Sequence, residues 1–234
     1  MHRMRYLLTK AGLTFVLAAA VVGPADSARA ALIMPNATQS FPDLASDIVG
    51  SQVYTYDPTS QTGSFVVNNA PSLIALGPNQ ASELEVTDLP GLSRSETISV
   101  KLDSNGNLVN SSTNSFSVYG SVTIDGKTLS GLLLQGTPTA FGWAPPDKNV
   151  PTQSVFDMNV NLTGGLLQQA YGSSAYIRIT SELGSTFTGS FAQNFLGLKT
   201  MTNVRSYNDL SPTPIPEPST FAILLACRDR RAHV

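Results

Sequence analysis

Between residues 51 and 207 the hydrophobic positions recur at every second residue, the period of a strand that buries one face and wets the other. "SQVYTYDPTSQTGSFVVNN" (51–69) holds two such runs about Asp57-Pro58, which predicts a hairpin. "ETISVKLDSNGNLVNSS" (96–112) repeats the pattern about Asn105-Gly106, where positive φ is cheap. "SFSVYGSVTIDGKTLSGLLLQG" (115–136) does so again about Asp125-Gly126. Further strands are predicted over 154–164, 174–183, 185–195 and 200–207, and only "GGLLQQAYG" (164–172) suits a short helical turn. Residues 31–49 read as an irregular lead-in. The expected fold is all-β: a single β-sandwich or jelly-roll-like domain of about eight to ten antiparallel strands. No helix-length amphipathic segment separates the strands, which argues against a parallel α/β fold.

The two ends break this pattern. Arg3, Arg5 and Lys10 precede the apolar run Leu13–Val22, and Ala28-Arg29-Ala30 forms an A-x-A site. Residues 1–30 therefore read as a secretory signal peptide cut after Ala30, with an apolar part too short to span a membrane. At the other end a Ser/Pro linker (208–215) leads to "PEPSTFAILLACRDRRAHV" (216–234). The body is thus expected at 31–207.

Setting the ends aside changes the available chemistry. The two histidines, His2 and His233, and the one cysteine, Cys227, all lie outside 31–217. That span offers no Ser-His-Asp or Cys-His pair, no thiolate or imidazole metal ligand, and no disulfide. It carries seven Lys and Arg against fourteen Asp and Glu, so its net charge is near −7 while the whole chain stands at −2. Phosphate binding needs clustered Lys and Arg, which makes nucleic acid a poor partner. No cofactor is expected.

Pro216, Glu217, Pro218, Ser219 and Thr220, followed by an apolar run and by Arg228, Arg230 and Arg231, resemble the PEP-CTERM sorting signal of exported proteins in exopolysaccharide-making Gram-negative bacteria. The resemblance implies recognition by an exosortase-type membrane protease after passage through the secretion machinery. It also implies transient membrane contact through the termini, and delivery to the cell surface or extracellular matrix. Prolines keep such a segment extended, and arginines hold its end on the cytoplasmic side. The tail departs from the pattern in one respect. Phe221–Cys227 is seven residues, about 10 Å of helix, where a bilayer core needs about 20 residues. Either the frame is shifted here, which the abrupt stop at Cys227 favours, or the tail anchors weakly and its processing is impaired. Residues 50–195 also resemble a β-rich module of such secreted proteins, one to which no activity attaches.

Candidate sites in the body are few. Asp103, Asn105 and Asn107 in "DSNGNL" place oxygens as the start of a calcium loop does, but the glycine falls at the fourth position and Asn114 occupies the twelfth. A hairpin turn explains the same letters. Glu83 and Glu85 in "SELEV" fall on one face of a strand, about 7 Å apart, a spacing open to an inverting carboxylate pair and equally to a solvated face. Trp143 and Phe141, in "TAFGWAPPDKN", could form a stacking platform for a sugar ring or belong to the core, and Tyr171 and Tyr176 share that ambiguity. The leading expectation is a non-enzymatic surface or matrix protein with a structural or adhesive role. The alternative is a glycan-binding module that recognises matrix polysaccharide.

Overall fold

The computed structural model describes residues 31–34, 39–78 and 83–207. The signal-peptide, linker and sorting-tail readings lie outside these residues. Eleven strands and one helical turn follow in chain order: β1 (Asp43–Ser46), β2 (Gly50–Asp57), β3 (Thr62–Asn69), β4 (Pro71–Ala75), β5 (Glu83–Glu85), β6 (Ser95–Asp103), β7 (Ser115–Ile124), β8 (Lys127–Trp143), β9 (Ser154–Gly164), α1 (Gln168–Tyr171), β10 (Ser174–Leu183) and β11 (Phe195–Ser206).

Eight of the strands close on themselves. β2, β3, β6, β7, β8, β9, β10 and β11 each pair antiparallel with the next, and β11 returns to β2 with Phe195 opposite Tyr54. The result is an up-and-down β-barrel, not the sandwich or jelly roll that the alternation suggests. Alternation within a strand is the same in both architectures. What separates them is whether the first and last strands meet, and that pairing joins residues about 140 positions apart in the chain.

Local chemistry bends the wall. Asp125 (φ 50°) and Gly126 (φ 75°) make the two-residue turn between β7 and β8, the conformation whose twist matches that of the flanking strands. β8 runs for 17 residues, and its register shifts at Gln135/Gly136 and Pro138/Ala140 let it curl around the barrel. β2–β3 and β9, β10 fall where the alternation places them. The expected strand over 185–195 is instead a loop: Phe187 and Phe191 point inward, and their apolar spacing serves core filling. The second half of the 96–112 hairpin likewise holds only the single bridge Leu102–Leu108.

β11 has three partners. Residues 195–200 pair with β2, residues 203–205 pair with β1, and β10 runs along the opposite edge. The wall therefore forks: one branch continues through β2, β3 and β6, the other through β1, β4 and β5. The lead-in read as irregular thus contributes β1. Thr87 meets Ser121 beyond β5 and ties the second branch back to β7.

Side chains fill the barrel. Tyr54, Phe65, Phe156, Phe187, Phe191 and Phe195 belong to one contiguous buried cluster, with ring centroids as close as 4.7 Å for Phe187–Phe195 and 4.8 Å for Tyr54–Phe195. Aliphatic side chains from β6, β7, β9 and β10, such as Ile98, Val118, Met158 and Ile177, continue it. Eight strands enclose a lumen about wide enough for side chains to fill.

Candidate functional site

On β3 and β6 the inward-facing stripe is apolar until it reaches the fork, where it turns polar. β6 points Leu102, Val100, Ile98 and then Glu96 into the lumen, and β3 points Phe65, Val67 and then Asn69. Asn69 stands opposite Glu96 in the β3–β6 register. β11 adds Thr200 and Thr202, and β1 adds Ser46, all buried. Thr202 Oγ1 donates to Glu96 Oε2, Asn69 Nδ2 donates to Ser46 Oγ, and Ser46 Oγ lies 2.7 Å from Thr202 Oγ1. Asn69 Nδ2 also donates to the carbonyl of Thr200 at 2.8 Å. Gln52 continues the polar layer along β2, donating to Ser154 Oγ at 2.6 Å.

Glu96 is wholly buried, and its Oε1 has no hydrogen-bond partner among the described residues. Burial pushes its carboxyl up to about 7, against a partial opposing pull from the Thr202 hydroxyl. A buried carboxyl with one donor and no cation is stable chiefly in its neutral form. Tyr171 of α1 covers this region from the side and donates to the carbonyl of Val204 at 3.1 Å. Its hydroxyl is pushed far up by burial and by the nearby Asp43 and Glu96. Asp43 itself is paired with Arg205 at 3.0 Å, and burial outweighs that pairing, so its carboxyl is raised.

The residues singled out in the sequence do not converge. Asp103 Oδ1 accepts the backbone N–H groups of Asn105 and Asn107, each at 2.9 Å, and Oδ2 accepts the Asn107 amide. Those oxygens hold the turn, and among the described residues no group of three acidic, His or Cys side chains is placed to hold a metal. Glu83 and Glu85 are exposed on β5, which among the described strands pairs with β4 alone; Glu83 lines an open hollow with Asp43 and Arg205, and Glu85 is not among its lining residues. Phe141 and Trp143 are half-buried against the aromatic cluster. The Trp143 ring meets Phe187 and Phe191 edge-on, with centroids 5.4 and 5.5 Å away. Tyr171 is core, and Tyr176 is buried beneath the segment 31–34.

Glu96 escaped the sequence reading although its signal was present. It occupies the inward register of "ETISVKL", in line with Ile98, Val100 and Leu102. On the outer wall, Thr55, Asp57, Ser60, Thr62, Ser64, Ser99, Lys101 and Thr113 line an open groove across β2, β3 and β6. No family model, curated protein or solved structure matches this chain.

Proposed function

We propose that this is an exported, non-enzymatic protein of the cell surface or extracellular matrix, sorted through its PEP-CTERM-like tail and structural or adhesive in role. The observation that carries the reading is the filled lumen: one contiguous cluster of buried side chains occupies the barrel. A barrel packed in this way presents its outer wall and its ends to partners, unlike wider barrels that enclose a ligand cavity. The terminal signals and the acidic balance of the body support the same reading.

The test is delivery. Expressed in an exosortase-bearing, exopolysaccharide-forming Gram-negative host, the full chain is expected at the cell surface in processed form. A Pro216→Ala, Glu217→Ala, Pro218→Ala variant is expected to remain unprocessed and to be missing from the surface. Equal surface delivery of the two overturns the sorting reading.

Polysaccharide binding has an observation of its own, the hydroxyl-rich groove, which takes over from the Trp143 platform. Hydroxyls in an open groove exchange hydrogen bonds with sugars at little desolvation cost. Ser64→Glu with Ser99→Glu should abolish retention on the host's polysaccharide, and Trp143→Ala should not.

A further inference from the structure

A second polar constellation lies on the outer wall, where it is covered by the chain's own residues 31–34. Asp157 projects outward from β9 yet is wholly buried. Its Oδ1 accepts the backbone N–H of Ile33 at 3.0 Å, and its Oδ2 accepts that of Met34 at 3.1 Å. The Tyr176 hydroxyl donates to the same Oδ2 at 3.0 Å, and Arg178 Nε donates to that hydroxyl at 2.8 Å. Arg178 Nη2 donates to the carbonyl of Met34 at 2.5 Å and stands 3.8 Å from the Asp157 carboxylate. At the other end of the segment the backbone N–H of Trp143 donates to the carbonyl of Ala31 at 3.2 Å. Gly142 completes the surface. A Cβ there would stand 2.8 Å from both the Ala31 carbonyl oxygen and the Ile33 nitrogen, so only a bare backbone lets the segment lie against β8.

The geometry points to a peptide-binding site formed by Gly142, Asp157, Tyr176 and Arg178, one that reads the main chain of a bent segment and is filled in cis by residues 31–34. The ligand class follows from the contacts. It is a short peptide, bent so that two successive N–H groups face one carboxylate and the carbonyl that follows them faces a guanidinium, with small or aliphatic side chains matching half-buried Leu32, Ile33 and Met34. The charged groups make the main-chain contacts strong, since a hydrogen bond to an ionised partner is worth roughly twice a neutral one. The segment itself buries the charge and supplies its main-chain donors. Without the segment, Asp157 would exchange two charge-assisted hydrogen bonds for hydration. None of this depends on whether residues 1–30 are a leader.

Occupancy in cis sets the concentration scale of the test. A segment joined covalently to its own site competes at an effective concentration on the order of millimolar. The experiment uses the full chain carrying Ile33→Pro, which removes one of the two donated N–H groups and weakens the segment's hold on the site. A fluorescent peptide of residues 31–36 is titrated to about 10 mM, followed by anisotropy. Saturable binding to Ile33→Pro is expected, at least ten-fold weaker in the wild type, whose own segment competes, and equally weak in Ile33→Pro with Asp157→Ala. No binding to a variant whose circular dichroism matches wild type, or binding that survives Asp157→Ala, overturns the proposal. Amide exchange in the unmodified full chain gives an independent check. The Ile33 and Met34 amides should be protected at least ten-fold relative to their rates in the Asp157→Ala chain, and exchange at equal rates also overturns it.

Discussion

Gly106 shows how a single position can decide the end of the barrel. It has φ +83°, and a Cβ on it would meet the Phe191 ring at 2.5 Å and Trp143 Nε1 at 2.9 Å. The Asp103–Leu108 turn is therefore a lid laid directly on the aromatic cluster, and its Asp and Asn residues are spent on holding that shape. Alanine at 106 meets both objections at once, a left-handed backbone and a ring with nowhere to go. Gly106→Ala should destabilise the fold by about 2 kcal/mol, read as a lowered urea midpoint with an unchanged slope. The same contact fixes the character of Trp143. The ring belongs to the hydrophobic cluster, so its emission should report unfolding and the Gly106→Ala defect, and should stay unmoved by added polysaccharide.

At the scale of the strand, β6 carries the sharpest departure from a uniform rule. Its inward stripe ends in Glu96, whose carboxyl sits near 7 in the folded barrel against 4.5 for an exposed glutamate. Because the folded value is the higher, the folded state holds the proton more tightly. The stability this supplies is complete below about pH 4.5 and is lost as pH rises through about 7. The shift corresponds to about 3 kcal/mol across that window. Glu96→Gln keeps a donor and acceptor without the charge. It should leave stability near pH 4 little changed and raise it above wild type at pH 8, measured by denaturant midpoints at the two pH values. A wild type that gains stability from pH 5 to 8 while Glu96→Gln does not would contradict the assignment. Glu96 also marks how far the sequence could be read. β2, β3, β7, β9 and β10 were legible because each alternates cleanly between turn residues, and the Asp125-Gly126 hairpin was legible letter by letter. The loop 185–195 was not, since Phe187, Phe191 and Phe195 recur every fourth residue inside a stretch of Ser, Thr and Gly that also suits a strand. The three-residue β5 and four-residue β1 are too short to carry a period. The polar layer at the fork could have been suspected from Glu96 and Asn69 on inward registers. Their meeting with Ser46 and Thr202 could not, because those contacts span up to 106 positions of sequence.

For the molecule as a whole, the decisive feature is closure through β11. A barrel has no free edges in its ring, and among the described strands the sheet ends at β5, which carries the exposed Glu83 and Glu85. Two like charges on a short edge strand oppose pairing with another chain, a role that accounts for both residues without chemistry. Closure also makes β11 the strand on which both branches of the wall depend. Phe195 opens it, stacks on Tyr54 at 4.8 Å and on Phe156 at 5.9 Å, and meets Phe187 and Phe191 from the inward loop. Removing its ring takes a partner from each of these at once and leaves a void in a lumen that the strands cannot collapse around, because the hydrogen-bonded ring fixes its radius. Phe195→Ala should therefore cost about 3–5 kcal/mol, at the upper end for core truncations. The loss should be shared by the entire barrel. Far-ultraviolet circular dichroism, which reports the strands, and Trp143 emission, which reports the aromatic end, should show one coincident transition in wild type and variant alike. Two separated transitions in Phe195→Ala, with the strands outlasting the aromatic end, would mean that the wall closes independently of what fills it.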